Sequence, residues 1–259
     1  MKKIIFNHYS LPSRGTIFTL FIILFLLSAC TKQEGPKQVS GVRTEAIKVD
    51  ASCDSIQDTA YLARLASYKE VVDREMGVKV GYVPDTFWVG APECPLLNWL
   101  TDALWEAAKK VYPGKVDVAF VNMGSVRGEW LPGDLTYGQI YTIMPFDNTL
   151  VVITLTGENL IELCDSIVSY GAQGIAGMRM TAVDGQLADV TVGGKPVVPN
   201  KKYTVVTSDY MTGGADHMTA LTRYSKYWDS QLLIRDLYIQ AAQEQDTLRA
   251  VVDGRVTIL

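Results

Sequence analysis

Histidine is nearly missing from this chain. Two occur in 259 residues, His8 and His217, whereas a catalytic metal pair needs several His and Asp ligands held at fixed geometry. His8 falls in the N-terminal leader described below, so one histidine remains, and one cannot build a two-metal phosphoesterase centre. No nucleophile elbow is present either. Ser125, in Gly124-Ser125-Val126, does not match the Gly-x-Ser-x-Gly turn, which leaves Asp216 and His217 without a serine to activate; His217 reads as a loop-surface residue. Glycine-rich phosphate cradles of the Walker or dinucleotide type are also lacking. Basic charge is in short supply: 24 Lys and Arg stand against 28 Asp and Glu, a formal charge of −4. That argues against a nucleic-acid polymer as partner, which needs a basic footprint.

What is there begins with a leader. Lys2, Lys3 and Arg14 precede the apolar run Thr16–Leu27, which is too short to span a bilayer securely. Leu27-Ser28-Ala29-Cys30 then puts small residues before a cysteine, a pattern that resembles a bacterial lipoprotein processing site. The expectation is a signal peptide over 1–29, a lipidated Cys30 opening a flexible tether over 30–50, and a folded domain over 51–259. Loss of the three leader cations takes the formal charge from −4 to −7. The protein would be an exported lipoprotein of the cell envelope, held to the membrane by acyl chains and not by a transmembrane helix. Cys53, Cys94 and Cys164 remain; three thiols allow at most one disulfide, so the fold does not depend on them.

Downstream, the periodicity predicts a helix from Ser55 to about Met76 closed by Gly77, and a short strand over Lys79–Val83. A better amphipathic helix runs from Pro95 to Val111, with Leu96, Leu97, Leu100, Leu104, Ala107, Ala108 and Val111 on one face; proline suits its first turn. Val116–Val121 reads as a strand with Val116, Val118 and Phe120 on one face. It runs into the loop Asn122–Arg127. Tyr137–Ile143 is a short helix. Thr149–Leu155 is apolar on both faces, as a central strand should be. Gly157-Glu158 opens a helix with Leu160, Leu163, Cys164 and Ile167 inside. Asp184-Gly185 and Gly193-Gly194 are hairpin turns, Lys202–Thr207 is a strand ending near Gly213-Gly214, Gln231–Gln243 is the last helix, and Asp253–Leu259 closes with a strand. The mixture without strict alternation predicts an α+β fold, a mixed β-sheet with packed helices.

The chemistry left is recognition. Asn122–Arg127, Phe146–Asn148 and Tyr210–Asp216 follow or precede strands and can meet on one rim. They offer two aromatic rings, two amides, a carboxylate and an arginine: rings stack on a planar base, and a carboxylate accepts from vicinal hydroxyls. Spacing alone favours three unrelated loops, each with ordinary turn residues.

The order Asn122-Met-Gly-Ser-Val-Arg127, Gly133-Asp-Leu-Thr-Tyr137, Pro145-Phe-Asp-Asn148 and Leu155-Thr-Gly-Glu-Asn-Leu160 resembles the C-terminal domain of the 5′-nucleotidase family. So do Tyr203–Tyr210 with Gly213-Gly214 and Asp216, and the final Asp-Gly-Arg-Val. The resemblance implies that Phe146 and Tyr210 sandwich the base and that Asn122 and Asn148 contact base or sugar. It also implies that Asp216 holds the ribose hydroxyls and Arg127 faces the sugar-phosphate side. In that family a preceding metallophosphoesterase domain carries two metals and cleaves phosphate. It has no counterpart in this sequence, so no catalytic residue, no metal ligand and no cofactor is assigned here, and divalent metals are expected only in a partner metallophosphoesterase. The alternative is a stand-alone nucleoside or sugar-nucleotide-binding lipoprotein. Departures from the pattern are Ser125 after Gly124 in place of a second glycine, Asp147 in place of glycine, a tyrosine as second ring, and no arginine over residues 84–94. With Arg127 alone, phosphate affinity should be weaker, because each lost charge-assisted contact costs roughly 1.5–3 kcal/mol.

Overall fold

The computed structural model describes residues 41–55, 58–171 and 173–259. The leader, its apolar run and the expected lipidation site Cys30 lie outside the described residues. The chain divides into two units between Gln57 and Asp58. In the first, residues 41–50 are exposed without helix or strand, and Ala51–Ser55 forms a 3-10 turn. The Lys48 ammonium beside Asp50 and two hydrogen bonds from Ser52 pull the Asp50 carboxyl down to about 2. Among the described residues no helix is long and apolar enough to cross a membrane.

The second unit, Asp58–Leu259, is built on a five-stranded sheet. Its strands are β2 (Val118–Asn122), β4 (Thr149–Thr156), β5 (Gln173–Ala176), β9 (Lys202–Ser208) and β10 (Lys226–Leu233), in the order β10-β4-β9-β2-β5. β2 and β9 are parallel and the other pairings antiparallel, which makes the sheet mixed. β4 has six consecutive buried residues because Leu150–Leu155 are apolar or β-branched on both faces. Alternation along β2 and β9 divides the core in two. Ala119, Val121, Val152 and Val206 pack with α2 (Pro95–Val111) and α5 (Ile234–Gln245). Val118, Phe120, Ile153, Leu155 and Val205 pack with α4 (Gly157–Tyr170) and a second sheet. That second sheet, order β11-β6-β7-β8, comprises β6 (Met178–Val183), β7 (Gln186–Val192), β8 (Lys195–Pro196) and β11 (Val256–Ile258). Leu100 and Leu163 are fully buried on opposite sides; truncating either to alanine costs about 2–5 kcal/mol. Cys164 lies with Leu163, and burial, aided by the Asp165 charge, pushes its thiol up to about 12. The three described cysteines are free.

A third, two-stranded sheet pairs β1 (Lys79–Val83) with β3 (Gly133–Thr136). α3 (Tyr137–Ile143) follows at once because Thr136 and Gln139 form a reciprocal capping box, Gln139 Oε1 accepting from Thr136 N at 2.7 Å. α1 (Thr59–Met76), capped by Asp58, has no buried residue. It begins four residues later than the periodicity suggested.

Other expectations need correction. Residues 226–233 are a strand and not the start of the last helix, which begins at Ile234. β10 lies at the sheet edge with its side chains exposed or half-buried, and its register shifts between Asp229 and Leu233, with Gln231 at φ 60. Apolar alternation therefore had no reason to appear. Gly133–Thr136 is a strand that the periodicity did not single out. Val116 packs on the α2 side, opposite Val118 and Phe120, because it precedes the strand and escapes its alternation.

Candidate functional site

The register aligns three chain ends. Leu150 pairs with Ser208, and Ala119 with Val206. The start of β4 and the ends of β9 and β2 therefore share one end of the five-stranded sheet. Phe146 and Asn148 enter β4 there, Tyr210 leaves β9, and Asn122 closes β2.

Asp209 ties the first two together. Its carboxylate accepts from Thr149 N at 3.2 Å and Tyr210 N at 2.8 Å, and its own N donates to Thr149 O at 3.1 Å. Both rings stand on this joined pair and are exposed, Phe146 by 39% and Tyr210 by 53%. The loop carrying Phe146 is held by a residue that sequence reading missed. Arg235 on α5 is nearly buried, lies over the Tyr141 ring at 4.0 Å, and donates to Asp147 Oδ1 at 2.6 Å. Asp147 thus has a partner that a glycine would not hold. Ile234 N also donates to Asn148 O. Nothing local announces Arg235, which lies 88 residues from Asp147. Asp209, placed before a turn, does carry the usual Asx signal.

Asn122 Nδ2 donates to Asp216 Oδ2 at 2.5 Å. Between them Gly124 comes so close that a Cβ there would stand 2.6 Å from Asp216 Oδ2. Asn122 and Asn148 line one small cavity of about 10 Å³ together with Ser125, Ser208 and Tyr238. Arg127 Nη1 donates to Gly124 O at 2.5 Å, Arg127 N donates to Ile143 O, and its guanidinium lies 5.2 Å from the centre of the Phe146 ring. All six residues singled out from the sequence therefore stand at this end of the sheet. Contacts join Asn122 to Asp216 and Arg127 to Phe146, while Tyr210 connects through Asp209.

Gly214 has φ 79, but Gly213 does not take a left-handed conformation; Asp216 and His217 do, at φ 53 and φ 63. The Cβ-free positions alone therefore do not make the bend. His217 is exposed and stacks on Tyr170. Among the described residues no group of three or more His, Cys, Asp or Glu comes together in metal-ligating geometry.

Larger clefts lie elsewhere, about 300 Å³ beside Asp102, Trp105, Arg179 and Arg255, and about 380 Å³ between α2 and α5. The first is lined by a saturated ion-pair network: Arg255 donates to Asp102, Asp253 and Ile175 O.

Comparison with known proteins is consistent across sequence and fold. A family model described as "5′-nucleotidase, C-terminal domain" matches residues 79–223. A 5′-nucleotidase of Vibrio vulnificus is 28% identical over 178 residues, 66% of this chain and 32% of that protein. A 5′-nucleotidase of Vibrio cholerae is 23% identical over 228 residues, 83% of this chain and 40% of that protein. The chain thus spans between about a third and two fifths of these relatives' length. The crystal structure of a 5′-nucleotidase precursor from Thermus thermophilus superposes with a TM-score of 0.70 at 22% identity, covering 78% of this chain and 44% of that one. At that identity the likeness establishes the fold, and the family match covers more than half of the sequence. This chain belongs to the 5′-nucleotidase C-terminal domain family.

Proposed function

We propose that this protein recognises a nucleotide or nucleoside and presents it to a metallophosphoesterase made as a separate chain, from a position anchored in the cell envelope through Cys30. The observation that carries the reading is the contact set Asn122–Asp216 and Arg127–Phe146 at one end of the sheet. It gathers a hydroxyl-binding carboxylate, an amide, a cation and a ring. Phe146 and Tyr210 take the base between them, Asn122 and Asn148 its polar edge or the sugar, Asp216 the ribose hydroxyls. Arg127 lies on the phosphate side, where the partner contributes the metals. The leader pattern around Cys30 supports export.

Binding of adenosine and AMP to the full chain, measured by thermal shift and calorimetry, tests the recognition half. Stacking of a base on one aromatic side chain contributes roughly 1–3 kcal/mol, so Phe146→Ala and Tyr210→Ala should each weaken binding by about 5- to 150-fold. AMP should gain little over adenosine, since Arg127 alone supplies charge-assisted contacts. Hydrolysis of AMP in the presence of Mn²⁺ tests the other half: the expected outcome is no turnover until a metallophosphoesterase partner is added. Robust turnover by the purified chain would refute that division of labour.

A further inference from the structure

Asp216 occupies an unfavourable backbone conformation, and what holds it there is visible. Asp216 (φ 53, ψ 34) and His217 (φ 63) are consecutive non-glycine residues in the left-handed region, which L-residues enter singly and at a cost. Such a pair persists only where surrounding contacts fix it. On the Asp216 side the contact is Asn122, with Gly124 leaving the room. On the His217 side it is Tyr170. The two rings stack with centroids 4.3 Å apart and planes 13° from parallel. The stack joins the last turn of α4 to the loop after β9 across 47 positions of sequence. Tyr170 is 57% exposed and His217 is exposed too, so core burial does not account for the contact. Three residues past Tyr170, Gln173 Oε1 accepts from Met123 N at 2.8 Å. The segment around the end of α4 thus steadies both halves of the Asn122–Asp216 pair.

We infer that Tyr170 and His217 are positioning residues: their stack clamps the left-handed turn and so sets the Asp216 carboxylate where it accepts from the vicinal hydroxyls of a ribose. The inference rests on the proposed role of Asp216 in sugar recognition and adds the device that makes it selective for a ribose over a deoxygenated sugar. The rings act through the backbone. They touch neither base nor phosphate, and their loss lowers discrimination between sugars without weakening base stacking.

The test compares binding of adenosine and 2′,3′-dideoxyadenosine by the full chain and its variants. Tyr170→Ala should reduce adenosine affinity about tenfold, leave the dideoxy compound within twofold, and leave the melting temperature nearly unchanged. Tyr170→Phe keeps the stack and should restore wild-type discrimination, which loss of a hydroxyl contact would not permit. His217→Gly lets the backbone enter the left-handed region freely, so adding Tyr170→Ala to it should have a smaller effect than in the wild type. Asp216→Ala is the control. If it abolishes discrimination while Tyr170→Ala leaves discrimination intact, the clamp is wrong and the sugar-binding role stands. If Asp216→Ala itself leaves discrimination intact, both fall together.

Discussion

Gly124→Ala is the smallest change that should disable the site without unfolding the protein. The added Cβ would lie 2.6 Å from Asp216 Oδ2 and 3.3 Å from Asp216 Cγ. A carbon and an oxygen in contact settle at about 3.3 Å, so Oδ2 must retreat by about 0.7 Å. Gly124 is not in a positive-φ conformation, so alanine brings no backbone strain of its own. The Asp216 side chain is exposed and can rotate away, at the expense of its 2.5 Å bond from Asn122. A charged-group hydrogen bond contributes about 1.5–3 kcal/mol when shielded, and exposure reduces that to about 1 kcal/mol. For a domain of this size that is a loss of about 2–4 °C in melting temperature. On the proposed role of Asp216, one or two charge-assisted bonds to ribose hydroxyls would also be lost, which should weaken adenosine binding by about 10- to 100-fold. Calorimetry on wild type and variant, with a denaturation scan of each, gives both numbers. Adenosine affinity unchanged in a variant whose crystal structure keeps the Asn122–Asp216 bond would refute the reasoning. A collapse of stability by several kcal/mol would refute it from the other side.

Other outcomes follow from contacts away from Asp216. Arg235→Ala removes the nearly buried guanidinium that lies over Tyr141 and holds Asp147. It should cost about 1–2 kcal/mol in urea unfolding and weaken nucleoside binding by loosening the Phe146 loop. Asp147→Ala, with its side chain 77% exposed, should cost under about 1 kcal/mol; equal costs would contradict the burial argument. Arg255→Ala strips the partner from Asp102 and Asp253 and leaves the nearly buried Glu93 without its cation. A loss of roughly 3–5 kcal/mol is expected, with nucleoside affinity of the folded protein unaltered because the network stands apart from the ligand rim. The buried Cys164 thiol, pushed up to about 12 from an ordinary value of 9.0, sets an alkaline limit. Its proton is held more tightly folded than unfolded, so stability is whole below about pH 9 and falls as pH climbs toward 12. Cys164→Ala should flatten that stretch of the stability–pH curve. At the acid end, burial alone would raise Asp117 and Asp253. Lys115 and Thr204 for the first, and Arg255 and Arg179 for the second, more than offset it and hold both carboxyls low. Their contribution is present above about pH 3.8 and disappears as pH drops through the depressed folded values, which acid titration of Asp253→Asn against wild type measures.

Much of this could be read before any coordinates, for physical reasons that differ from element to element. α2 was legible because burial on one face writes a 3.6-residue stripe, and β4 because burial on both faces erases polarity altogether. The hairpin at Asp184-Gly185 was legible because left-handed turns select their residues. β10 was not, since an edge strand with exposed side chains has no pattern to impose. At the site, residue types that stack or accept hydrogen bonds could be named from the loops in which they occur. The supports could not: Arg235 reaches Asp147 across 88 positions, and Tyr170 reaches His217 from another element. Long-range contacts of that kind leave no local period. His217 was read as a loop-surface residue; its left-handed backbone and its stack on Tyr170 are properties of coordinates and not of composition.

The position of β4 between β9 and β10, with six consecutive buried residues, has a dynamic consequence. Its amide protons should be among the last to exchange with deuterated solvent, at rates governed by global opening. The chain that carries Phe146 and Asn148 is thus rooted in the slowest-exchanging part of the molecule, and Asp209 fastens its neighbour to the same root. On the proposed function, an incoming base would meet a mount already set before it arrives, and little of the binding free energy would be spent on ordering the protein.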